Sequence, residues 1–167
     1  MAKVKKKKNI ELGGWLVALG CFVRIIQLLG AFFGAGFVSN RWLYVAMLCC
    51  MCGGFAVLAY EKRGKASLTA VISAAVCLLA TVMGNMSDGG DALRIFAALF
   101  LVLTFAISGI HCVIAANGKT VKAVGGAVLV ALSIVCGSFA FGVSASPVVT
   151  LLVLLAAYVF MGIMVIL

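Results

Sequence analysis

At 167 residues, 66% of them hydrophobic and only 10% charged, with a mean hydropathy of +1.31, this chain carries too little polar surface to face water. A soluble domain needs roughly a quarter charged residues, so the composition excludes a water-soluble globular protein and points to lipid as the solvent. The net charge of +9 does not point to nucleic acid, because the cations occupy a tail and short segments between apolar runs and build no basic face on a folded domain.

Lys3, Lys5, Lys6, Lys7 and Lys8 open the chain as a basic tail over residues 1–12. Six apolar runs follow, each near the ~20 residues that a helix needs to cross a bilayer. They are predicted at about 13–37, 42–60, 66–83, 93–116, 123–143 and 147–167. The runs are continuous and do not alternate polar with apolar residues, so helices are expected rather than barrel strands. The expected fold is an all-α integral membrane protein, one domain of six transmembrane helices paired as three hairpins.

The first run holds the sharpest irregularity, Arg24 near its middle with Gln27 one turn further on. An arginine at the centre of a bilayer costs about 2.5–3.5 kcal/mol on insertion scales and marks a functional site by default. No Asp or Glu falls inside any of the six runs. Arg24 is therefore expected to meet helix carbonyls, Gln27, water, a lipid phosphate or a bound anion. Arg24 and Gln27 are the candidate anion or lipid-headgroup site. Snorkelling to the interface or meeting a partner protein's acid is the structural alternative. Gly30 and Gly34 form a GxxxG step, a helix-packing signal that also suits a homo-oligomer or a partner membrane protein. The run continues past Arg24 with no clear cleavage site, so an uncleaved first span is expected. Trp15, Trp42, Tyr44 and Tyr60 fall near predicted span ends, where amphipathic rings prefer to sit.

Cys49, Cys50 and Cys52 cluster in the second run. The seven cysteines are odd in number and all lie in apolar runs, so neither a disulfide framework nor a metal site is expected. Lys62, Arg63 and Lys65 follow. Between the third and fourth runs, Asp88 and Asp91 sit in a glycine-rich loop, and Asp91 is expected to cap the fourth helix. That helix carries His111 beside Cys112. His111 is a candidate proton-sensitive residue, and a histidine simply hydrogen-bonded between helices is the plainer reading. Lys119 and Lys122 are read as a loop pair before the fifth run.

Charge placement gives orientation. With the N-terminus in the cytoplasm, ten cations fall in the tail, the 61–65 segment and the 117–122 segment, against Arg41 and Arg94 outside, with Arg24 inside a span. The positive-inside rule then places both termini in the cytoplasm.

The third hairpin carries a glycine-rich helix, then Ser146-Pro147, then Val148-Val149-Thr150-Leu151-Leu152, and ends Tyr158-Val159-Phe160-Met161-Gly162-Ile163. This stretch resembles the repeating hairpin of the HdeD-type bacterial membrane proteins, six-span proteins tied to acid and stress tolerance. The resemblance covers residues 123–167 and extends to the rest only in layout. It implies a bacterial inner-membrane protein and supplies no catalytic motif.

Catalysis finds no support in the residues. No Ser/His/Asp set, HExxH or phosphate loop is present, and no cofactor is expected. The reading is a non-enzymatic polytopic protein, accessory or stress-associated, whose partners are membrane lipids or another membrane protein. Two further classes stand beside it. A small-solute transporter would draw its lining from Arg24, Gln27, Ser73, Thr81, Thr104, Ser108, His111, Ser133 and Ser138. A structural subunit of a larger complex would use Arg24 against a partner.

Overall fold

The structure, a computed structural model, describes residues 11–34, 41–85, 90–141 and 146–167. Within them run six helices: α1 Leu12–Phe32, α2 Arg41–Glu61, α3 Lys65–Asn85, α4 Asp91–Ile114, α5 Thr120–Phe141 and α6 Pro147–Ile166. Five are long and apolar enough to cross a membrane, and the apolar part of α2, Val45–Glu61, is shorter. The chain is an all-α integral membrane protein. Helices suit these runs because lipid offers no partner for backbone N–H and C=O groups, and a helix satisfies them internally.

The turns explain where the helices stop. Gly64 lies at φ 65° between α2 and α3, and Asn117 and Gly118 at φ 45° and 84° between α4 and α5. These left-handed positions suit glycine and asparagine and end a helix. Ser146 caps α6, its Oγ accepting from the Val149 N–H at 3.3 Å, with Pro147 at the first helical position. There the missing proline N–H costs nothing.

The helices close into a ring in chain order, with α6 returning to α1 and also reaching α4. The α5–α6 contact is the thinnest in the ring. Glycines set the closest approaches. A Cβ on Gly109 would lie 2.6 Å from the Gly126 carbonyl oxygen, and one on Gly126 equally close to that of Gly109. Gly13 and Gly54 bring α1 onto α2 in the same manner.

Phe22, Leu68, Ile95, Val121, Ile134 and Leu152 are exposed on the outside of the ring. Phe55, Leu58, Phe105, Leu129 and Met161 fill the interior alongside Gln27, Ser73, Thr81, Thr104, Ser108, His111, Lys122 and Ser133, all buried. The outside is thus apolar and the inside mixed, as a bundle in lipid requires.

Three expectations change. Gly34 lies beyond the end of α1, exposed at φ 68°, with nothing within 4 Å of a Cβ placed there. Gly30 is buried, but the pair makes no packing step across a helix face, because only Gly30 is helical. The residue in the N-cap position of α4 is Gly90, not Asp91, which is the first helical residue. The Asp91 side chain and Asp88 lie outside the described residues, as do residues 35–40 and the side chains of Trp42 and Tyr44. Finally, α5 begins at Thr120, so Lys122 is not a loop charge. It sits in the first turn of a spanning helix, 3% exposed.

Candidate functional site

Helix α1 sets the depth of Arg24. Thirteen residues separate it from Glu11, and at 1.5 Å per residue it lies about 20 Å into the bundle. We call the end where α1 begins proximal and the other end distal. The half-buried Arg24 side chain turns inward. It lines a pocket of about 150 Å³ with Met47 of α2, Ala80 and Thr81 of α3, Ala97, Ala98 and Leu101 of α4, and Tyr158 of α6. Nη1 donates to Gln27 Oε1 at 3.2 Å, and Gln27 is buried. The buried Tyr158 hydroxyl is also within hydrogen-bonding reach of Arg24. Its ring packs edge-on against Phe105, centroids 4.9 Å apart, which fixes its position. Arg24 thus lines the pocket with a planar five-donor guanidinium facing four other helices, and Gln27 holds it from behind.

A polar seam leaves this pocket along the α3–α4 interface toward the proximal end. On α3, Thr69, Ser73, Cys77 and Thr81 recur every fourth residue, which keeps them on one face. On α4, Thr104, Ser108 and His111 answer them. The contact that sets the register is Thr69 Oγ1 to His111 Nδ1, 3.0 Å. The Thr69 hydroxyl also reaches the Ala66 carbonyl oxygen, at 3.0 Å. Which of Thr69 and His111 donates to the other follows the imidazole tautomer. Thr81 and Thr104 donate to the carbonyls of Cys77 and Phe100, each at 2.8 Å. Ser73 and Ser108 differ. Both are wholly buried, and neither hydroxyl has a hydrogen-bond partner among the described residues. Of the remaining residues read as transporter lining, Ser133 is buried and Ser138 is exposed.

The proximal end is fastened by charge. Glu61, the last residue of α2, accepts from the Leu12 and Gly13 N–H groups at 3.1 and 3.4 Å and so caps α1 from outside. Lys62 pairs with Glu11. Burial opposes ionisation of the Glu11 carboxyl, but the Lys62 hydrogen bond and the charges of Lys62, Lys122 and Lys119 outweigh it and hold its pKa below the ordinary value. Lys119 Nζ donates to the Leu167 carbonyl oxygen at 2.5 Å. Lys122 is buried within electrostatic reach of Cys112, Glu11 and His111. The sequence offered a signal for it. Lys122, Gly126, Leu129, Ser133 and Cys136 fall at steps of three and four, the inward face of α5.

Cys52 of α2 and Cys77 of α3 approach within hydrogen-bonding reach of one another. Cys49 is exposed, and Cys21, Cys77, Cys112 and Cys136 are buried. Among the described residues no group of three or more His, Cys, Asp or Glu side chains gathers that could hold a metal ion. Comparison with family models, with curated proteins and with solved structures found no match to this chain.

Proposed function

We propose that this chain is a non-enzymatic six-span membrane protein that binds an anionic group in the Arg24 pocket. On this reading α2, packed between α1 and α3, is the sixth span. Both termini face the cytoplasm of a bacterial plasma membrane, in keeping with the bias of cations toward one side and with the HdeD-type layout of the third hairpin. The observation that carries the reading is that half-buried Arg24 lines a pocket whose walls come from five helices. Its fixed donors, with Gln27 and Tyr158 beside them, suit a phosphate or carboxylate.

The test is binding of radiolabelled inorganic phosphate to the protein in nanodiscs of zwitterionic lipid. Arg24→Leu should lose at least tenfold in affinity and Arg24→Lys should keep part of it, with helix content unchanged by circular dichroism. Equal binding by wild type and Arg24→Leu would refute the site.

A second reading, a small-solute carrier, is favoured by one observation. Ser73 and Ser108 are buried with unpartnered hydroxyls on a seam that joins the pocket to His111, and buried hydroxyls of this kind are ordinarily met by water or ligand. If the seam carries solute, Ser73→Ala with Ser108→Ala should slow uptake into proteoliposomes at least severalfold. Uptake no faster than into empty vesicles would remove this reading.

A further inference from the structure

Beside the Arg24 pocket lies a second one of about 170 Å³, held between α4, α5 and α6. Its walls include Leu154 and Thr150 of α6 and Phe139 and Ala140 of α5. The two pockets share Ala98 and Leu101 of α4. On α6, Leu154 lines the apolar pocket and Tyr158, one turn on, lines the charged one. The two pockets therefore adjoin at α4. The Arg24 pocket presents a guanidinium, and the apolar one adjoins the thinnest joint of the ring, α5 against α6.

We infer that the ligand is a single-chain amphiphilic anion, a phosphate or carboxylate head held at Arg24 and an alkyl chain lying in the apolar compartment. The inference rests on the anion reading and specifies its ligand. Charge and apolar surface meet across one shared wall, so a ligand carrying both would be matched along its length. The size of the apolar compartment favours one chain segment over two, since a cavity of about 150 Å³ holds one benzene, roughly six carbons.

The experiment is competition of n-alkyl phosphates, from ethyl to octyl, against radiolabelled inorganic phosphate on the protein in nanodiscs, with empty nanodiscs subtracted. Each methylene taken from water should tighten binding about fourfold until the compartment fills, so a plateau should follow a rise over the shorter chains. Ala140→Trp, at a residue that lines the apolar compartment and not the Arg24 pocket, should flatten the rise and leave inorganic phosphate binding as in wild type. Alkyl phosphates binding no tighter than inorganic phosphate would overturn the inference while the anion site stood. A chain-length rise undiminished in Ala140→Trp would also overturn it, because the chains would then lie in bulk lipid. Failure of inorganic phosphate itself to bind would remove both.

Discussion

Single residues account for what is unusual in this bundle. Arg24 is costly in a bilayer and is placed where its cost can be offset, among Gln27, Tyr158 and a pocket. Glu11 shows how charge fastens the proximal end. Its pKa is depressed in the folded protein, so its contribution is present above the unfolded value near 4.5 and is lost as pH falls through the lower folded value. Glu11 and Lys62 keep 34% and 17% of their side-chain exposure, so the pair belongs on the scale of a partly screened ion pair. Glu11→Gln should lower stability by about 0.5–1 kcal/mol at neutral pH. The gap from wild type should close as pH is lowered below 4.5. Thermal unfolding in detergent across a pH series measures it, and a constant gap would mean that Glu11 acts through packing alone.

Among the helices, glycine position decides which substitutions the ring tolerates. Gly126→Ala would push a methyl against the Gly109 carbonyl oxygen, and forced overpacking of this kind costs about 1–3 kcal/mol. Gly53, mid-helix in α2, has nothing within 4 Å of an added Cβ. Gly53→Ala should be neutral or stabilise by up to about 1 kcal/mol through helix propensity. Opposite signs in the unfolding midpoints of the two variants would support this packing, and equal effects would contradict it. Much of this scale is legible in the sequence. All six predicted runs correspond to helices, because continuous apolar stretches bounded by Gly, Asn and Ser-Pro leave few alternatives. Gly34 departs from its GxxxG spacing because spacing alone cannot say where a helix ends, and its positive φ places it outside α1. Lys122 departs from the loop reading because a lysine three residues from Lys119 resembles a loop pair, whereas the inward stripe of α5 claims it.

For the whole molecule, the seam is the feature that composition hides. Thr69, Ser73, Cys77 and Thr81 can be read as a four-residue repeat, but only the α3–α4 register, fixed by the Thr69–His111 contact, sets it opposite Thr104 and Ser108. The Arg24 pocket was half legible. The sequence marked Arg24 and Gln27, while Tyr158 and the α4 wall come from elements far along the chain and were invisible to local spacing. The proposed orientation has its own check. With the native cysteines replaced, Arg63→Cys, at an exposed position between α2 and α3, should react with a membrane-impermeant maleimide only after cells are opened. Labelling of intact cells would invert the topology.

The inward placement of Arg24 is the claim on which the rest depends. A high-resolution cryo-electron microscopy map of the protein in lipid nanodiscs, with a rigid binding fragment added for size, tests it most directly. The Arg24 guanidinium should lie inside the ring, bonded to Gln27, with non-protein density in the pocket against it. An Arg24 side chain turned out to the lipid headgroups, over a collapsed pocket, would contradict it.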